Sequence, residues 1–256
     1  MNSLADIIAA MTPTADGWRA TIPDAWLQGR TAYGGLSSAL ALHVAQRCAP
    51  DMPPLRSAQV AFVGPLAGDV TVEATLLRRG RNAAFVQADV TGDAGLGLRA
   101  TFVFMRPIES RVDHRRGEAP CPPPPADATL LRGIPTIPFT QQFEMFDPPM
   151  EAGPAEWLRW IRLADRTGLE PTIELLAVAD ALPPAALKLL GGPAPVSSMT
   201  WLLNLLDPVP ATTDGWWLLR ARTDHAAAGN SSQAMTIWNA AGQTIAEHMQ
   251  SVAIFG

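Results

Sequence analysis

Four stretches of this 256-residue chain carry residue types whose spacing can do chemistry. The stretch VSSMTWLLNLLDP, residues 196–208, reads as a buried strand, yet Thr200 and Asn204 sit inside it. A buried hydroxyl without a partner costs roughly 1–3 kcal/mol. Thr200 therefore needs a reason: a hydrogen bond to a neighbouring strand, or a role in holding a ligand or a water. Tyr33-Gly34-Gly35 opens a helical pattern. Glycines there let a ligand approach backbone N–H groups where the helix dipole favours negative charge, or they simply allow tight helix–sheet packing. Asp180 ends a second helical pattern just before Pro183-Pro184, as a helix cap or as a base. His248 and Gln250 are two apart in a strand pattern and so project to one face.

The same inspection removes other chemistries. No Gly-x-Ser-x-Gly elbow occurs and no histidine pairs recognisably with a serine or cysteine, which disfavours a serine-hydrolase triad. The four histidines (His43, His114, His225, His248) lack metal-site spacing, and Cys48 and Cys121 form no CxxC pair, so no metal and no cofactor are expected. His43, on a helix rich in Leu and Ala, reads as a core histidine. The net charge of −5 carries no basic stripe, which argues against nucleic acid as a partner. Arg78, Arg79 and Arg81 are the densest basic cluster outside the linker, suited to phosphates or to a solvated hairpin end. The N-terminus lacks a basic segment followed by an apolar one, and no run of 18 apolar residues occurs. A cytoplasmic protein with no membrane partner is the expectation.

These residues need elements to position them. Apolar residues make up 48% of the chain, enough for a sizeable core. Residues 109–135 concentrate charge and then four consecutive prolines, which favour an extended polyproline path. They read as a linker between an N-terminal domain, 1–108, and a C-terminal domain, 136–256. In the first half, DGWRATIPDAWLQG reads as a hairpin or strand pair. Leu36, Leu40, Val44 and Cys48 recur every four residues, predicting a helix from Tyr33 towards Pro50. Apolar runs split by Gly-Pro, Gly-Asp and Gly-Arg turns then predict four antiparallel strands. The second half repeats the order: short strands at FEMFDPP and EWLRWIRLA, a helix broken at Pro183-Pro184, and four strands. An internal repeat of about 100–120 residues indicates duplicated domains rather than a solenoid. Each half is α+β, an antiparallel sheet curving around a long central helix.

That order resembles a double hotdog, and particular residues resemble the acyl-CoA thioesterase II (TesB-like) family. AYGGLSSALALHVA is similar to the family's Phe/Tyr-Gly-Gly helix opening. SAQVAFVGPLAGD is similar to its Phe-x-x-Pro strand with a Gly-Asp turn. RRGRNAAFVQADV is similar to its Arg-x-Gly-Arg hairpin, and FVFMRP closes the first half. The resemblance implies a catalytic Asp, a Thr or Ser, and a Gln in the second hotdog. By position these are Asp180, Thr200 and Gln250. Ser198 is the alternative hydroxyl if the register slips by two. The family often has an Asp two residues after the hydroxyl; with Thr200 as the counterpart, Leu202 stands there.

The implied reaction is hydrolysis of acyl-CoA to a carboxylic acid and CoA. Asp180 would orient or deprotonate water, Thr200 and Gln250 would hold it, and amides at Gly34 and Gly35 would serve the oxyanion. The implied partner is the acyl-CoA substrate, and the expected assembly is a dimer of double hotdogs. A non-catalytic acyl-CoA or acyl-chain binding module on the same fold is the alternative. A hotdog dehydratase ranks lower, because no acidic residue accompanies His43 at a suggestive spacing.

Overall fold

The computed structural model describes residues 3–115, 117–192 and 194–255. A capping box between Ser3 and Asp6 starts α1 (Leu4–Ala9). There follow β1 (Thr12–Pro13), β2 (Trp18–Ile22), β3 (Leu27–Gln28), β4 (Thr31–Ala32), α2 (Gly34–Ala45), β5 (Leu55–Phe62), β6 (Gly68–Arg79), β7 (Ala83–Gly92) and β8 (Gly95–Met105). The second half contributes β9 (Leu131–Arg132), β10 (Phe143–Phe146), β11 (Glu156–Leu163), α3 (Pro171–Ala179), β12 (Val196–Leu205), β13 (Trp217–Ala227), β14 (Asn230–Asn239) and β15 (Thr244–Ile254). The expected hairpin at the start does not form. Strand β2 pairs with β1 and with β6, while β3 pairs with β4.

The four-strand sets and the two helices stand where periodicity placed them, but the expected pair of sheets is one sheet. Strands β5 and β12 pair antiparallel, with Val60 opposite Trp201, and join the halves into a 13-stranded sheet. Its order is β1-β2-β6-β7-β8-β5-β12-β15-β14-β13-β11-β10-β9. Apart from β9, the order reads the same from either side of the β5–β12 join, with β5 matching β12, β8 matching β15, β7 matching β14 and β6 matching β13. The duplication is thus a pseudo-two-fold in space. Pairing β5 with β12 also removes the two edges that separate sheets would leave open there.

The helices lie on one side of this sheet and run antiparallel. At one end the Tyr33 hydroxyl donates to the Ala177 carbonyl at 2.7 Å; at the other, Gln46 Nε2 donates to Glu170 Oε2 at 3.3 Å. Residues 35–45 of α2 are all buried, as a helix apolar on every side must be. Tyr33 stacks on Phe139 with ring centroids 4.3 Å apart, and Trp26 and Phe143 close that seam between the halves.

The proline-rich connection is a strap rather than a free tether. Its Ala119, Cys121 and Leu130 pack on a second core of Trp160, Trp216, Leu218 and Trp238, on the sheet face away from the helices. The Ala119 N–H donates to the Gly242 carbonyl at 3.0 Å, and Trp238 Nε1 to the Gly117 carbonyl at 3.3 Å. The prolines cannot continue a strand, so residues 119–130 stay irregular, and pairing resumes at β9 against β10.

Candidate active site

Helix α3 begins with Glu170, whose carboxylate accepts the Thr172 and Ile173 N–H groups, and with Pro171 at its first position. It stops at Asp180, which leaves the helical conformation at φ −96° and ψ 7°. Because the helices are antiparallel, the end of α3 lies beside the start of α2. Asp180 therefore sits at the positive end of the neighbouring helix.

Two groups approach the Asp180 carboxylate. Gln250 Nε2 donates to Oδ1 at 2.5 Å. The Gly35 N–H donates to the same carboxylate. A Cβ built on Gly34 would lie 2.6 Å from Oδ2 and 2.9 Å from Phe62 Cε1, so only glycine admits the carboxylate this close. On Gly35 it would meet the Ala177 carbonyl and the Tyr33 ring at 2.5 Å. The two glycines thus seat Asp180, and the Gly35 amide expected to face an oxyanion holds a carboxylate instead. Burial pushes the Asp180 pKa up to about 7, against the hydrogen bonds from Gln250 and Gly35, which lower it. Burial, with the Asp180 charge added, also raises the pKa of Tyr33.

Gln250 is buried, opposite Trp201 on β12 and Gln233 on β14. Side chains directly opposite across a ladder share a face. Gln250, Trp201 and Gln233 therefore point together towards the helices. Gln233 Nε2 donates to Gln250 Oε1 at 2.9 Å, and the Ala185 N–H donates to Gln233 Oε1 at 3.0 Å. Next along the same face lie Ser231 and Val252, a cross-strand pair, and Ser231 Oγ lies 3.3 Å from Thr223 Oγ1.

Thr200 is not in this group. It is exposed and pairs with Ser251, on the face opposite to Gln250. Strand β12 has a bulge between Ser198 and Thr200 in which Met199 is the extra residue. Across it, Ser198 pairs with Val252, so Ser198 shares the inner face with Gln250. A bulge shifts side-chain alternation by one, and simple alternation misses that shift. With Ser198 as the hydroxyl, the residue two places on is Thr200 rather than Leu202. Thr200, Leu202, Gln59, Arg99 and Met249 line a shallow groove on the outer face instead. Asn204 is likewise exposed and faces outwards, which settles its place in the apolar strand.

His248 shares the Gln250 face, as the spacing predicts, but it serves the core. Trp201 Nε1 donates to its Nδ1 at 3.0 Å, and burial lowers its pKa to about 3, so it is a neutral ring. His43 is buried beside Arg47, and burial with that charge lowers its pKa to about 4. Arg79 donates to the Asp51 carbonyl at 2.9 Å, at a hairpin end remote from Asp180. Gln233 was legible only as an inward position of SSQAMTIWN, in step with Met235 and Ile237.

Family models match most of the chain: an acyl-CoA thioesterase N-terminal domain over residues 22–105 and an acyl-CoA thioesterase C-terminal domain over residues 108–254. Among solved structures, a hot dog fold protein of unknown function from Alicyclobacillus acidocaldarius is 21% identical, with 98% of this chain and 97% of that one covered and a TM-score of 0.85. The tesB protein of Mycobacterium avium subsp. paratuberculosis is 20% identical, with 99% and 100% covered and a TM-score of 0.77. An acyl-CoA thioesterase II from Mycobacterium marinum is 16% identical, with 98% and 97% covered and a TM-score of 0.77. At these identities the structures establish the hotdog fold alone. No match is found among functionally curated proteins. Among the described residues no helix is long and apolar enough to cross a membrane. On the strength of family models that together span nearly the whole sequence, the chain belongs to the acyl-CoA thioesterase family and is a thioesterase.

Proposed function

We propose that this protein hydrolyses acyl-CoA thioesters at a site made of Asp180, Ser198 and Gln250. The observation that carries the reading is the Gln250–Asp180 hydrogen bond of 2.5 Å, which joins a strand of the sheet to the end of α3 at the start of α2. A base pKa near the working pH combines the ionised form with useful proton affinity, and Asp180 at about 7 meets that condition. In this scheme Asp180 accepts a proton from a water held by the free hydrogen of the Gln250 amide and by the Ser198 hydroxyl. The water oxygen bonds to the acyl carbon, the C–S bond breaks, and the CoA sulfur leaves as the thiol with the proton that Asp180 took from the water, which restores the carboxylate.

A panel of acyl-CoA chain lengths assayed for free thiol tests this. Asp180→Ala or Gln250→Ala should lower turnover by roughly 10²-fold or more, the size of a general-base or water-orienting contribution. Unchanged turnover in both variants removes the assigned site. Calorimetric binding of acyl-CoA without thiol release across the panel replaces hydrolysis with a binding function.

A further inference from the structure

We propose that Gln233 is a positioning residue that sets which way round the Gln250 amide faces Asp180. The inference rests on the site reading above and adds a residue to it.

A glutamine amide can sit either way round, and its neighbours decide. The deciding group here is the Ala185 N–H, which can only donate. The Gln233 atom 3.0 Å from it must therefore be the carbonyl Oε1. That choice turns Gln233 Nε2 towards Gln250, where it donates to Oε1 at 2.9 Å, with its other hydrogen towards Met235 Sδ at 3.5 Å. Gln250 is then turned in its place, with Nε2 towards Asp180 Oδ1. The polarity of a backbone amide is thus handed through two buried side chains to the carboxylate.

The consequence is chemical. Presented with an N–H, Asp180 is favoured as the ionised acceptor, the state that can take a proton from water. With Gln250 reversed, its carbonyl would accept from protonated Asp180 and favour the acid, and the hydrogen available to the water would be lost. Gln233 blocks that reversal, because a turned Gln250 would set its NH₂ against the Gln233 NH₂. Both glutamines are buried away from bulk solvent, where an amide facing a like group is costly.

The test compares wild type, Gln233→Met and Asp180→Asn by kcat and KM against pH, with a ¹³C NMR titration of the Asp180 carboxyl. Methionine keeps the length and removes both amide groups. The expected result for Gln233→Met is kcat lower by roughly tenfold with KM within about twofold, the signature of lost transition-state stabilisation. The acid limb of kcat and the Asp180 titration should move together to higher pH by about one unit. Gln233→Leu is the second variant, should Gln233→Met fold poorly. It removes the same amide from the same buried, inward position, and it should shift the titration in the same direction. A titration and an acid limb unmoved in both variants overturn the positioning role, even if activity falls. Wild-type thiol release by Asp180→Asn would instead remove the hydrolytic site, while the Asp180 titration in Gln233→Met would still decide the amide orientation.

Discussion

The two halves share a backbone plan and differ in what they place on its inner face. Pro65 and Pro208 each follow the first apolar strand, and both halves carry a bulge ten residues earlier, at Leu55/Ser57 and at Ser198/Thr200. On that alignment Leu55 stands where Ser198 does, and Ala58 where Trp201 does. Ala58 pairs with Phe102, while Trp201 pairs with Gln250. Phe102 pairs with Val86, while Gln250 pairs with Gln233. One half thus buries Leu55, Phe102 and Val86 where the other turns inward Ser198, Gln250 and Gln233. The helix starts differ in the same sense. At α3 the carboxylate is that helix's own exposed cap, Glu170; at α2 it comes from the neighbouring helix, as Asp180. The difference teaches that the duplicated frame supplies two helix starts over one sheet, and that a few inward side chains make one of them a site.

The largest expected effect breaks that symmetry directly. Asp180→Asn should cost roughly 10²-fold or more in kcat. Glu170→Gln should leave turnover within about twofold and lower stability by about 1 kcal/mol through its cap, read by thiol release and urea unfolding. Equal losses in the two variants would mean that the helix ends are not chemically distinct. Next comes Gly34→Ala, whose methyl would press on Asp180 and Phe62; kcat should fall by at least about tenfold. Pro171→Ala, at the matching start of α3, should leave it unchanged. The bulge predicts a third contrast. Ser198→Ala should lower kcat by about tenfold, while Thr200→Val should change it by less than about twofold. The reverse ranking would return the hydroxyl role to Thr200. A polar graft into the other half should only damage it: Phe102→Gln should destabilise by at least about 3 kcal/mol in urea unfolding and add no activity.

The smallest effect is on stability against pH. Burial raises the Asp180 pKa to about 7 in the folded state, against about 3.9 for an aspartate in the unfolded chain. The folded state therefore binds a proton more tightly than the unfolded chain. The stabilisation is fully present below about pH 4 and is lost as pH rises through about 7. Measured against Asp180→Asn, wild type should lose at least about 2 °C of Tm between those pH values. A constant difference would mean that Asp180 is not perturbed.

Much of this was legible in the sequence because it rests on local patterns. Apolar periodicity marked both helices and both four-strand sets, and Pro-Pro marked the end of α3. The resemblance to acyl-CoA thioesterase II proteins singled out Asp180 and Gln250, which the structure brings into contact. What was not legible depends on pairing between distant strands. The single sheet arises from β5 against β12, which pair residues as distant in sequence as Val60 and Trp201. Thr200 was assigned by the resemblance, and alternation with Trp201 and Leu203 turns it outward, while the extra Met199 in the bulge brings Ser198 inward. Gly34 and Gly35 were read as oxyanion donors, but the carboxylate they meet belongs to another helix. Gln233 gave no signal of its own, since its role lies in what Gln250 and Ala185 do on either side of it.

The central claim is that Asp180 is a buried base, held ionisable near neutrality by Gln250 and the start of α2. The ¹³C NMR titration of its side-chain carboxyl in the wild-type protein tests this most directly. A midpoint near pH 7 that coincides with the acid limb of kcat is the predicted result. A midpoint near 4, with turnover indifferent to the ionisation of Asp180, would contradict it.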